Sequence, residues 1–427
     1  MKGNRVTTQF GWIKLQYLLL YAVMGAYMPY MPVYLRELGL EDWQIGWVLG
    51  AYGLAVLVMP AVIAHIADRH VRNRVLIGVS FAISAVGLLA VTRAQRFETV
   101  LVMFSLFSLA VTPLFSLIDG LTFATLHQQS RDGERPEAYH RIRIWGSIGF
   151  MIPALVVFVA MRYMGSTALS AVLTGAAAAA IAATLSMTLP GADAPIRESK
   201  TGLPSGQAWR ALLRPNVRSL IGPLVLGFIG ISIFYAFYSL YLEELGIGKE
   251  WIGIISNIGV GAEVTLMLFS APLLAKFGLR GLMIVGAGCL VVRMGLLAAV
   301  PSPTVAIVSQ LLHGPIVLWL YLVPPMYLNL QAEPSYRNSM QSLYSVLCFG
   351  VARWVGSIVG GHATQLGGDA MSGLRWAFLL ALVLAVIALT WLVIFFRDDK
   401  ACQAIRDNAD QGRGAAAAAD SKPDRLV

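Results

Sequence analysis

The chain has 427 residues, of which 57% are hydrophobic and only 13% charged. That composition leaves too little polar surface to coat a soluble globule of this size and places the chain in a bilayer. The net charge of +9 is carried by Arg-rich loops, so it reads as membrane orientation and not as nucleic-acid binding.

A spanning helix needs roughly 20 mostly apolar residues at ~1.5 Å rise each. Such runs lie near 12–35, 44–66, 74–93, 99–127, 137–164, 167–190, 217–242, 251–275, 279–300, 304–332, 339–362 and 372–397. Ten-residue alternation of the outer-membrane barrel kind is absent, so the expected fold is all-α, with twelve transmembrane helices in two six-helix bundles. The polar segments on the side of the N-terminus hold about three times as many Lys and Arg as the opposite set. Both ends are therefore expected in the cytoplasm, in a multi-pass protein of the inner membrane. No small-residue cleavage site follows the first span, so that helix is expected to remain. Cys289, Cys348 and Cys402 are single and widely spaced, with neither a metal spacing nor a disulfide framework.

Taken in order, the first span ends with Tyr27 and Tyr30 and then Tyr34-Leu35-Arg36-Glu37-Leu38-Gly39, followed by Ile45-Gly46. The loop after the second span reads Asp68-Arg69-His70-Val71-Arg72-Asn73-Arg74. Asp119 stands within the fourth span, and the fifth opens on Tyr139-His140-Arg141-Ile142-Arg143-Ile144-Trp145-Gly146-Ser147-Ile148-Gly149-Phe150. A Pro/Gly/Ser-rich, charged stretch over 191–216 is expected to be a solvated cytoplasmic linker between an N-terminal bundle (1–190) and a C-terminal bundle (217–397). The seventh span carries Phe234, Tyr235, Phe237 and Tyr238, then Tyr241-Leu242-Glu243-Glu244-Leu245-Gly246 and Ile252-Gly253, repeating the first segment at a constant offset of 207 residues. Glu263, Arg293, His313 and Arg353 follow in spans eight to eleven, and the tail over 398–427 is expected to be disordered.

Asp119, Arg143, Glu263, Arg293 and Arg353 are charges within apolar runs, where an ion costs several kcal/mol unless it has a partner or a task. Two parallel six-helix halves place a transporter's substrate site at their interface near the midplane. At ~1.5 Å per residue Asp119 and Arg143 reach depths of roughly 10 Å and can meet, either as a substrate-binding pair or as a fixed bridge between helices four and five. Glu263 and Arg293 both fall near the midplane, with His313 at a compatible depth. A carboxylate beside an arginine and an imidazole can exchange a proton when a partner moves away, which is the chemistry of proton coupling. Three interior arginines face two carboxylates, and the surplus favours an anionic substrate, with Arg353 as its partner. Tyr27, Tyr30, Tyr235 and Tyr238 suit the walls of a pocket for a flat apolar body, although such rings also serve packing.

The twelve spans, the repeat and the Asp-Arg-x-x-Arg-x-Arg loop resemble the major facilitator superfamily. Within it, the string from Tyr139 and the segments Gly261-Ala262-Glu263-Val264, Val291-Val292-Arg293, Leu312-His313 and Gln341-Ser342-Leu343-Tyr344-Ser345 are similar to the proton symporters of the phenylpropionate, nucleoside and lactose permease groups. The resemblance implies substrate binding at Asp119 and Arg143, proton coupling at Glu263, Arg293 and His313, and a conformational loop at Asp68, Arg69 and Arg72. Lactose permease has a carboxylate where this chain has Ile316, so coupling falls to Glu263 or Asp119, with Glu263 favoured, or is absent. The expected function is proton-coupled uptake of an aromatic monocarboxylate of the 3-phenylpropionate type by alternating access, by a monomer without cofactor or metal. A nucleoside or small-sugar symporter is the alternative. A membrane-embedded enzyme is remote, because His-Glu-x-x-His, Gly-x-x-x-x-Gly-Lys-Ser/Thr and Gly-x-Ser-x-Gly are all missing.

Overall fold

A computed structural model describes the chain over residues 2–67, 73–131, 139–189, 206–333, 336–397 and 402–403. Among these residues every regular element is helical: α1 (Lys2–Tyr27), α2 (Met31–Glu37), α3 (Asp42–Ala67), α4 (Asn73–Val91), α5 (Phe97–Arg131), α6 (Tyr139–Met164), α7 (Leu169–Thr188), α8 (Gly206–Leu212), α9 (Pro215–Glu244), α10 (Ile252–Leu268), α11 (Ser270–Ala299), α12 (Pro303–Val308), α13 (His313–Val317), α14 (Val323–Gln331), α15 (Arg337–Ser345), α16 (Arg353–Ala363) and α17 (Ala370–Phe395). Twelve stretches are long and apolar enough to cross a membrane, as expected. Several are jointed. Pro29 stands in the break between α1 and α2, where its missing N–H stops the helix, and Pro32 sits in the first turn of α2, where none is needed. Single π-helical turns at Leu318–Leu322 and Val346–Ala352 join the pieces of the tenth and eleventh spans.

The chain turns sharply at two pseudo-equivalent glycines. Gly39 (φ +84°) and Gly246 (φ +79°) close the repeated segment in the left-handed conformation that a side chain resists. Each makes the same pair of cap bonds: Gly39 to Arg36 O and Leu40 to Leu35 O, then Gly246 to Glu243 O and Ile247 to Leu242 O. These are Schellman caps, so the repeat in sequence is a repeat in backbone hydrogen bonding.

Within each half, small residues let helices approach closely, as packing between apolar helices requires. Gly25 and Gly149 bring α1 against the backbone of α6 at Phe150 and Leu18, and Gly222 seats α9 beside Trp391 of α17. The halves meet where α3 lies on α16 and α6 on α10. A Cβ on Gly46 would strike the Ser357 carbonyl, and Asn257 Nδ2 donates to Met151 O at 3.1 Å. Trp43 stacks on His362 at 6.1 Å between centroids. These contacts concentrate toward the end of the bundle where α3 and α10 begin and α16 ends.

The second part of the 191–216 joint is not solvated chain. Gly206–Leu212 form α8, whose Ala208, Ala211 and Leu212 are buried on one face against α9 and α15; the i, i+3, i+4 spacing of those three explains it. Residues 190–205 lie outside the described residues, as do Asp68, Arg69 and Arg72 of the expected conformational loop. Of the tail, Cys402 and Gln403 are described; both are helical, and Cys402 is buried.

Candidate functional site: a cavity and two ionic clusters

Between the halves lies a small cavity, walled by Tyr27, Met28, Leu49, Tyr52 and Phe104 from one half and by Ser232, Tyr235, Ala236, Arg353 and Ser357 from the other. Its walls combine aromatic and aliphatic side chains with a few polar groups, the make-up of small-molecule sites. Arg353 is its cation. The guanidinium carbon sits 4.2 Å from the centre of the Tyr52 ring, and among the described residues no carboxylate pairs with it.

In the second half, Glu263 of α10, Arg293 of α11 and His313 at the start of α13 converge. Arg293 is completely buried, its guanidinium 3.8 Å from the centre of the Phe234 ring and 5.8 Å from that of Tyr238. Its Nη2 donates to Gln310 Oε1 at 2.6 Å and its Nη1 lies 3.2 Å from His313 Nδ1. An arginine side chain only donates. Nδ1 of His313 therefore accepts, and the ring proton is on Nε2, which lies 3.9 Å from Glu263 Oε2 and 3.4 Å from Tyr235 Oη. Tyr235 thus touches both the cavity and the cluster. Glu263, with a side chain 24% exposed, is open to water while Arg293 is not.

In the first half, Asp119 of α5 and Arg143 of α6 come together through tyrosines. Tyr17 Oη donates to Asp119 in a short bond, and Tyr139 Oη donates to the same oxygen at 3.1 Å. Arg143 Nη2 donates to Tyr21 Oη, and its guanidinium rests 4.3 Å from the Tyr21 ring centre and 5.7 Å from that of Tyr17. Among the described residues no direct ion pair joins Asp119 to Arg143. Gly146 makes room for this arrangement, since a Cβ there would meet both the Arg143 guanidinium and the Tyr21 ring.

Residues 10–372 match the family described as MFS_1 like family. The chain belongs to the MFS_1 like family. Members of the major facilitator superfamily are membrane transporters, and this one is a multi-pass membrane protein with a small-molecule cargo. It is 26% identical over 382 residues to the probable 3-phenylpropionic acid transporter of Escherichia coli (strain K12), covering 88% of this chain and 95% of that protein. It is 24% identical over 408 residues to the xanthosine permease of the same organism, covering 90% and 94%. The crystal structure of the nucleoside transporter NupG superposes with a TM-score of 0.79 at 18% identity, over 91% of this chain and 99% of that one, and shares the fold.

Set in this MFS_1 like fold, the expected site residues divide. Arg353, Tyr27 and Tyr235 line the cavity; Glu263, Arg293 and His313 form one cluster, and Asp119 and Arg143 another. Two tyrosines expected at the substrate lie elsewhere. Tyr30 is fully buried, and its Oη accepts from the Gly253 N–H of the other half at 3.1 Å. Tyr238 donates to Ala306 O at 2.9 Å inside its own half. Their hydroxyls are spoken for by backbone. Tyr52, Tyr17, Tyr139 and Gln310 were not anticipated. Tyr17 and Tyr21, four apart on α1, share a face and could have been read as a pair, and Gln310 precedes His313 by one turn. Nothing in the sequence marks Tyr52.

Proposed function

We propose that this transporter takes up a small organic anion, an aromatic monocarboxylate of the 3-phenylpropionate type, together with a proton, as a single chain in the cytoplasmic membrane with both ends inside. The observation that carries the reading is Arg353: a cation in an aromatic-walled cavity between the halves, held by a ring face and not by a carboxylate. A ring attracts the face of the guanidinium and leaves its in-plane N–H groups for a bidentate carboxylate. The wall of Tyr27, Tyr52 and Phe104 suits a flat aromatic body.

Proton coupling is assigned to Glu263, which faces the His313 Nε2–H. Glu263 stands on α10, which packs against α6 of the other half, so relative movement of the halves changes what surrounds Glu263. Ile316 is fully buried among apolar neighbours and offers no second proton site. A nucleoside symporter is the second reading, favoured by the xanthosine permease relative and by rings on which a base could stack. Uptake by membrane vesicles with an imposed pH gradient separates the two. Accumulation of radiolabelled arylpropionate but not of nucleoside is expected, and the reverse result would reject the anion reading.

A further inference from the structure

The repeated Tyr-Leu-x-Glu-Leu-Gly segment takes no part in the cavity or in either cluster, yet its two copies meet at the rim where α2 and α9 end. Residues 207 apart carry opposite charge at two places: Arg36 corresponds to Glu243, and Asp42 to Lys249. Each copy closes the same internal link with its signs exchanged, Arg36 Nη2 to Asp42 Oδ1 at 2.7 Å and Lys249 Nζ to Glu243 Oε1 at 3.0 Å. The third pair, Glu37 and Glu244, keeps its sign, and each glutamate reaches the cation of the other half. Arg36 Nη1 donates to Glu244 Oε1 at 2.9 Å, and Lys249 Nζ donates to Glu37 Oε1 at 2.9 Å.

The result is two acid–base–acid chains, Asp42–Arg36–Glu244 and Glu243–Lys249–Glu37, and each crosses once between the halves. The exchange of signs is what permits this. An Asp at 249, the residue of the first copy, would set a carboxylate against Glu37 and repel the halves. The same repeat supplies the contacts beneath: Gly46 packs under Ser357 and Gly361, and the Gly253 N–H is capped by Tyr30 of the opposite half.

We propose that the two copies form a charge-inverted clasp that holds this mouth of the transporter shut in the conformation seen here and parts when the cavity turns toward that face. Partly exposed ion pairs are individually weak and screened by salt, which suits a contact that must break once in every cycle. The clasp is independent of which solute is carried.

The test uses the full chain with Cys289→Ser, Cys348→Ser, Cys402→Ser and a reporter Met28→Cys in the cavity, and a membrane-impermeant thiol reagent on the face where α2 and α9 end. The reporter should react slowly with the clasp intact. Arg36→Gln with Lys249→Gln should speed the reaction about fivefold or more, and Arg36→Lys with Lys249→Arg should leave it slow. Equal rates in all three chains, or a fast reaction with the clasp intact, would overturn the proposal. Spin labels at the exposed Met164→Cys and Leu366→Cys, one on each half, give a measure that does not depend on the cavity reporter. Their separation should gain a longer component only when the clasp is neutralised, and an unchanged distribution would sink the idea.

Discussion

Arg353→Gln is the sharpest probe of the substrate reading, because glutamine keeps a hydrogen-bonding end while losing the charge. Hydrogen bonds to a charged group are worth ~1.5–3 kcal/mol and neutral ones ~0.5–1.5 kcal/mol. Exchanging a charged for a neutral hydrogen bond costs ~1–1.5 kcal/mol, so at ~1.4 kcal/mol per factor of ten an arylpropionate should lose about 5- to 12-fold in apparent affinity, and its uncharged amide should lose less. Part of either loss comes from the Tyr52 ring, which gives up its cation. The amide control removes that shared part, because both ligands pay it. The assay is competition of each compound against labelled arylpropionate uptake in vesicles, with surface expression measured alongside. Equal losses for acid and amide would show that Arg353 does not hold the carboxylate, and the surplus positive charge would then need another explanation.

Glu263→Gln should leave counterflow exchange running but abolish accumulation against a gradient; undiminished uphill uptake would remove Glu263 from the coupling step. Arg143→Ala should weaken substrate binding by about tenfold, the loss of one charged interaction, while the thermal midpoint of purified protein moves by only a few degrees, about the shift of a ~1 kcal/mol change. A collapse of the folded protein with no separable binding defect would instead make Arg143 a brace for α1. Tyr30→Phe leaves the Gly253 N–H without its partner and removes ~1 kcal/mol from the closed rim, so the thiol reporter at position 28 should react about fivefold faster. No change would place the seal elsewhere.

The spans and the depth of the five interior charges were legible because hydropathy fixes where a helix enters and leaves a membrane. The rotation of each helix about its own axis was not. α9 is apolar nearly all round, so its pattern does not say which face turns to the cavity. That is why Tyr235 lies at the cavity while Tyr238, one turn further, bonds Ala306. The π-helical turn Val346–Ala352, just before Arg353, adds a further shift of register that no motif announces. The repeat was readable as a repeat, but its purpose was not, because the sign exchange at residues 36/243 and 42/249 gains meaning only when the two copies face each other.

The interior charges follow a rule that pairing acids with bases along the sequence does not reveal. Arg143 lies on Tyr21 at 4.3 Å, Arg293 on Phe234 at 3.8 Å and Arg353 on Tyr52 at 4.2 Å. Each guanidinium is thus held by a ring, and among the described residues none forms a direct ion pair with a carboxylate. A salt bridge would occupy the in-plane donors and cancel the field; a ring stabilises the cation, by ~0.5–2 kcal/mol, and does neither. The donors are then spent differently at each site. Arg293, sealed from water, gives its own to Gln310 and His313 and so fixes the tautomer that faces Glu263. Arg353, in the cavity, has among the described residues no carboxylate at its in-plane donors. Under the proposed reading, a carboxylate on the substrate would complete the charge balance of these interior cations when it binds.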